Sequence, residues 1–172
     1  MDALIVVDMQ RLFVDLAGDE GPAVLDAVNA RIADTAATGG AVFFTRDIQP
    51  TPNPLDDPSF TLHPELRISG PIIDKGPGKN GGFSGFVLSD PDGNLGDGGL
   101  STLAGRLRQE RITRVSVVGI AADVCVSATA VDAIRLGYPT DVPLAATAFV
   151  HAHPDGDEAA VAHMRSVGVD CR

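Results

Sequence analysis

Short runs of consecutive apolar residues alternate along this chain with longer segments in which apolar residues recur every three or four positions. The clearest runs are 3–7 (ALIVV), 41–45 (AVFFT) and 114–120 (RVSVVGI). Their length and β-branched content predict strands buried on both faces. Between them, 21–40 places Val24, Leu25, Val28 and Ile32 on one helical face, with Pro22 suited to a first turn and Gly39-Gly40 to the stop. A second amphipathic helix is predicted over 100–112, with Leu100, Leu103 and Leu107 on its apolar face. A third is predicted over 123–139, where Asp123 suits the cap and Gly137 with Pro139 suits the end. A last helix is predicted over 155–168, and a weaker strand over 140–145, where Pro143 interrupts the pattern. Strand and helix alternating in this way predict an α/β fold, with three layers α/β/α around a central, mainly parallel sheet.

Two segments break the alternation. Residues 49–71 are proline-rich and read as a surface excursion, and residues 74–99 are glycine-rich with no helical period. Long irregular segments in a domain of this size are commonly binding loops. The whole length of 172 residues suits one domain, 1–172.

Composition narrows the function classes. The formal net charge is −10, so the chain repels phosphate backbones and nucleic-acid binding is disfavoured. No apolar run approaches a membrane span, and the opening MDALIVVDMQ reads as a first strand, not a signal peptide. Two cysteines cannot build a disulfide framework, which points to a reducing, cytoplasmic setting. Cys171, beside the C-terminus, reads as a bystander.

In open parallel sheets, ligands gather beyond the carboxyl ends of the strands. Four reactive side chains fall there: Asp8 after the first run, Asp47 after the second, Lys75 after PIID, and Cys125 at the head of the helix that follows 114–120. Each has a plain structural reading when taken alone; a free cysteine is most often a buried, inert residue. Together they suggest a nucleophile with its proton acceptor and a cation. The first turn of a helix and a nearby lysine are expected to pull the thiol pKa below its usual value of about 8.5. A carboxylate in reach would take the thiol proton, and backbone N–H groups around Ala121 and Cys125 would hold an oxyanion.

Other motifs are weaker. GPGKNG (76–81) has the spacing G-x-G-x-x-G, but the breaker-rich stretch after it predicts no helix, so it is not read as a dinucleotide site. His151 and His153 in HAH, and His163, read as polar or exposed positions.

With these residues placed, the chain resembles the isochorismatase-like cysteine hydrolases, and among them the nicotinamidases. ALIVVDMQRLF, VFFTRD, DKGPGKNGGFSGF and VVGIAADVCVSATAVDAIRLGY carry the resemblance, which runs almost end to end. It implies a triad of Asp8 as base and then acid, Lys75 as stabiliser of the thiolate, and Cys125 as the nucleophile that forms a thioester. It also implies a cis peptide between Ile120 and Ala121 that turns backbone donors toward the oxyanion. Phe13, Phe83, Phe86 and Gln10 are the expected substrate-binding residues. Nicotinamidases typically hold a metal through Asp-x-His and further histidines, but here that place reads Asp47-Ile48-Gln49, and the chain has no Trp.

No cofactor is therefore expected to be required. A metal is not expected either, and Asp47 and His63 are its weak candidates. The expected function is cleavage of a C–N bond in a small amide-type substrate. The alternatives are a metal-dependent nicotinamidase with an atypical ligand set, isochorismatase-type vinyl-ether hydrolysis, and a non-catalytic member that binds a small molecule. Family members are often dimers or tetramers, which leaves a homo-oligomer open by analogy.

Overall fold

The computed structural model describes residues 1–48, 57–75, 83–86 and 101–172. The apolar runs become strands β1 (Asp2–Val7), β2 (Ala41–Asp47) and β4 (Arg114–Ile120), with β3 (Ile72–Lys75) between the last two in sequence. Three shorter strands follow: β5 (Thr140–Val142), β6 (Thr147–Ala148) and β7 (Asp170–Cys171). All pair in parallel in the order β3-β2-β1-β4-β5-β7, with β6 against the end of β4. The chain steps outward from β1 to β2 and β3, then returns to the other side of β1 as β4. The crevice at such a reversal is where ligands bind in open α/β sheets.

Side chains alternate across the sheet and build one core on each face. Leu4, Val6, Val42 and Phe44 pack with Val24, Leu25, Val28 and Ile32 of α2 (Gly21–Ala37), which follows the short α1 (Arg11–Leu16). Ala3, Ile5, Val7 and Phe43 pack with Leu103 and Leu107 of α3 (Thr102–Gln109), Ala130 and Val131 of α4 (Ser127–Arg135), and Met164 of α5 (Asp157–Ser166). Each such large side chain stabilises the fold by roughly 1.5–3 kcal/mol on burial. Pro22 sits in the first turn of α2 as expected, and Gly137, at φ +90°, follows the end of α4.

Several expectations are corrected. The helix predicted over 100–112 is α3 alone, started by Ser101, whose Oγ accepts from the Leu103 N–H at 3.2 Å; Leu100 lies outside the described residues. The strand predicted over 140–145 stops at Val142, because Pro143 has no N–H to give the ladder. Cys171 is buried in β7 beside β5. The described part of the proline-rich excursion is also not wholly superficial. Phe60 and Leu66 are buried, and Leu62 bridges to Gln10. The GPGKNG stretch lies outside the described residues.

Candidate active site

Asp8 leaves β1 with φ +47°, in the left-handed region that side chains rarely adopt. Thr45 of β2 grips it from two sides. The Thr45 Oγ1 donates to Asp8 Oδ1 at 2.7 Å and accepts from the Asp8 backbone N–H at 3.2 Å. The neighbouring strand must come close as well: Gly119 has φ +112°, and a Cβ there would run into the Val7 carbonyl. Only glycine meets both conditions.

Lys75 ends β3, and the register places it opposite Asp47 at the end of β2. Its Nζ lies 2.8 Å from Asp8 Oδ2, 3.3 Å from Asp47 Oδ2 and 3.5 Å from Cys125 Sγ. Its side chain is 0% exposed. Gln10, an expected substrate-binding residue, does something else. It is fully buried and clamps the backbone that carries Asp47: its Nε2 donates to the Asp47 carbonyl at 2.9 Å, and its Oε1 accepts from the Asp47 N–H at 2.8 Å. A buried amide satisfied in this way has its polar atoms committed to the frame.

Cys125 follows β4 in a π-helical turn, Ala122–Val126, that runs into α4. The peptide between Ile120 and Ala121 is cis. The N–H groups of Val124 and Val126 both bond the Ala121 carbonyl, at 3.1 and 3.0 Å. Asp123 does not cap this helix, because Ala121 holds the cap position. The Asp123 carboxylate reaches sideways and accepts from the backbone N–H groups of Val150, Ala152 and His153, at 3.1, 2.6 and 3.2 Å. It thereby fixes the loop that presents Val150. His151 instead pairs with Asp157 at the surface.

The electrostatics overturn one expectation. Burial pushes the Cys125 thiol well above its usual range, and the charge of Asp8 pushes it further; the Lys75 ammonium opposes this without winning, and Asp47 adds to the rise. The expected depression of the thiol pKa therefore does not occur in the resting site. Burial also disfavours the charged form of Lys75, but the negative charges of Asp8, of Cys125 when ionised and of Asp47 outweigh it, so the ammonium holds its proton above the usual lysine range. The resting pair is a thiol and an ammonium. Asp8 Oδ1 is occupied by Thr45, whereas Oδ2 has the Lys75 ion pair and accepts no aligned hydrogen bond among the described residues.

Above Cys125 opens a cavity of about 160 Å³ lined by Phe13, Leu16, Asp47, Phe83, Ile120, Ala121, Val124, Cys125 and Val150. Phe13 and Phe83 are thus placed at the pocket. Phe86 is not: it is 0% exposed in the core formed with α3 and α4. The turn that holds both phenylalanines is pinned from below. Thr129 Oγ1 donates to the Cys125 carbonyl at 2.7 Å and accepts from the Gly85 N–H at 2.9 Å, while Ser101 Oγ donates to the Gly85 carbonyl at 2.6 Å. Sequence reasoning missed Thr45, Thr129 and the anchoring role of Asp123. The available signal was a hydroxyl inside an otherwise apolar strand, two residues before Asp47 and so on the same face.

The acid and thiol atoms of Asp8, Asp47 and Cys125 lie within 4.8 Å of one another. Such a cluster offers ligands of the right kind for a divalent ion. The Lys75 ammonium touches all three, so a metal seated among them would face a positive charge at contact distance, and the cluster does not fit one. His63, the other weak metal candidate, is half-buried; its backbone N–H donates to Met9 and its Nδ1 accepts from the Glu65 N–H at 3.3 Å. It is not part of this cluster. Gln49 lies outside the described residues. Among the described residues, no helix is long and apolar enough to cross a membrane.

Comparison with known proteins places the chain among related sequences and folds. The chain is 33% identical to the nicotinamidase/pyrazinamidase of Mycobacterium tuberculosis, over 99% of this chain and 97% of that one. The pyrazinamidase of Pyrococcus horikoshii, solved in complex with zinc, superposes with a TM-score of 0.78 at 30% identity, covering 99% of this chain and 98% of that one. The N-carbamoylsarcosine amidase of Thermoplasma acidophilum superposes with a TM-score of 0.75 at 25% identity, covering 99% of this chain and 95% of that one. The Isochorismatase domain model matches residues 2–172, and the chain belongs to the isochorismatase family.

Proposed function

We propose that this chain is a cysteine hydrolase that cleaves the C–N bond of a small amide, lactam or carbamoyl compound through a thioester, without a bound metal. The observation that carries the reading is the contact of Lys75 Nζ with both Asp8 Oδ2 and Cys125 Sγ at the floor of an apolar pocket. The relatives named as amidases act on bonds of this kind, which supports the same reaction class here.

Because the resting thiol is protonated, attack is coupled to proton transfer. Asp8 Oδ2 takes the Cys125 proton as Sγ forms its bond to the amide carbon. The Lys75 ammonium offsets the negative charge that passes through this centre, and backbone N–H groups at Ala121 and Cys125 receive the carbonyl oxygen as it becomes an oxyanion. Asp8 then gives its proton to the departing nitrogen, the C–N bond breaks, and an amine or ammonia leaves. In the second half, Asp8 removes a proton from water, the hydroxyl attacks the thioester carbon, and Cys125 leaves with the proton restored. The products are a carboxylic acid and the free thiol. Water supplies every atom added, and no oxidant or reductant enters.

The test is release of ammonia or amine from an amide panel that includes nicotinamide and pyrazinamide. Cys125→Ala should abolish turnover, and Asp8→Asn should lower it by about 10²–10⁴-fold, the usual weight of a positioned proton-transfer group. Chelation should leave the rate unchanged. An active Cys125→Ala protein would overturn the nucleophile, and loss of activity on chelation would overturn metal independence.

A further inference from the structure

We propose that Thr45 is a positioning residue with two separable duties: its hydroxyl commits the travelling proton to one oxygen of Asp8, and its methyl seats the turn that carries Phe83. This inference rests on the reading of Asp8 as the base of a cysteine hydrolase and assigns what holds that base in place.

Thr45 lies in β2 and is fully buried. A hydroxyl has one hydrogen to give. The Asp8 backbone N–H donates to Thr45 Oγ1 at 3.2 Å, so the hydroxyl hydrogen turns away from it and goes to Asp8 Oδ1 at 2.7 Å. The main chain of Asp8 thus orients the hydroxyl, and the hydroxyl orients the carboxylate of the same residue. A proton arriving on Oδ1 would meet that hydrogen. It goes instead to Oδ2, the oxygen 2.8 Å from Lys75 Nζ, which in turn lies 3.5 Å from Cys125 Sγ. Without the hydroxyl, the carboxylate could turn both oxygens to the ammonium, and the oxygen set for the thiol proton would be lost.

The methyl group meets a different part of the site. A Cβ on Gly85 would come within 2.9 Å of Thr45 Cγ2, so the Gly85 main chain rests on this methyl. Gly85 belongs to the turn that carries Phe83, a residue of the pocket wall. Valine keeps the methyl and loses the hydroxyl; serine does the reverse.

The test is the kinetics of Thr45→Val and Thr45→Ser on an amide that the wild type turns over. Thr45→Val should lower kcat by at least about tenfold, the scale of a misplaced reacting group, and leave KM within about twofold. Thr45→Ser should recover most of that kcat and raise KM by roughly two- to fivefold, as binding is lost without loss of chemistry. Equal kcat in Thr45→Val and wild type would overturn the hydroxyl's duty. Serine keeps the buried hydrogen bonds, so its arm stands even if Thr45→Val fails to fold: a fall in kcat with KM unchanged there would overturn the division. Alkylation by iodoacetamide reads the same step without amide cleavage. Cys125 Sγ bonds the carbon, iodide leaves, and the thiol proton passes to Oδ2. Peptide mass spectrometry should show Cys125 labelled more slowly in Thr45→Val and restored in Thr45→Ser, with Cys171 as the internal control. Equal Cys125 rates in all three proteins would overturn the proposal. No turnover of any amide by the wild type, with this labelling order intact, would count against the hydrolase reading and support the role of Thr45.

Discussion

Both edges of the sheet gather acids and bases, and the two clusters live in opposite surroundings. At the carboxyl edge, the Lys75–Asp8 pair has both side chains 0% exposed. At the amino edge, near the starts of β1, β2 and β4, Asp141 accepts from Ser116 and pairs with Arg172 at 2.9 Å and Arg114 at 3.8 Å; the arginine side chains are 59% and 49% exposed. In the outer cluster Asp141 is itself buried, but its arginine partners reach into solvent and are screened, the setting in which ion pairs contribute less. The inner cluster has lost its water, and desolvation can exceed what the pairing returns. A fold seeking only stability would fill that space with apolar side chains. The cost is explained by chemistry, since a buried acid beside a thiol and an ammonium can move protons where water would otherwise compete.

The comparison can be tested first by removing one charge from each cluster. Lys75→Met keeps the side-chain bulk and removes the ammonium that contacts Asp8 and Asp47. It should lower unfolding stability by about 3–5 kcal/mol in denaturant titrations. If Lys75→Met proved as stable as the parent, the inner cluster would not be the strained one.

A smaller effect should appear on raising pH. An unfolded thiol ionises at about 8.5–9, whereas folded Cys125 keeps its proton to higher pH. The folded state then binds more protons, so stability falls as pH rises past 9.0. The slope from this one group is up to about 1.4 kcal/mol per pH unit. Lys75 adds a loss of the same sign above its ordinary 10.5. Denaturation of the wild type and Cys125→Ala from pH 8 upward should show a shallower fall in the variant between 9.0 and 10.5. Parallel curves would mean that the thiol is not held protonated.

The smallest effect belongs to the outer edge. Arg172→Ala should cost less than about 1 kcal/mol and lose most of that in high salt. A larger, salt-insensitive loss would show that the buried Asp141 depends on its arginine as the inner acids depend on Lys75, and would erase the contrast.

The phenylalanines of the FSGF turn show how far local pattern reaches. Phe83 and Phe86 are three residues apart in a glycine-rich stretch with no period, and nothing in the sequence separates them. In the fold, Phe83 is 41% exposed at the pocket mouth and Phe86 is sealed in the core. The difference arises where Gly85 passes beneath: a Cβ there would come within 2.9 Å of Thr45 and also touch Leu103 and Thr129, side chains from β2, α3 and α4. Gln10 is a similar case. The family resemblance put it at the substrate, but its amide is spent on the backbone of Asp47, 37 residues away.

Taken alone, the sequence determined the strand and helix alternation, because burial on a sheet or helix face leaves a period in the residues. It also determined which reactive side chains stand at strand ends, because Asp8, Asp47, Lys75 and Cys125 each follow an apolar run or its turn. Only the tertiary structure decided how those ends meet. The β2–β3 register sets Asp47 opposite Lys75, and the β1–β4 pairing brings Asp8 toward the cysteine turn. It also decided that the thiol rests protonated, that Asp123 anchors a loop instead of capping a helix, and that an ammonium occupies the centre of the acid cluster. These outcomes depend on desolvation and on contacts between distant segments, and neither leaves a local period to read.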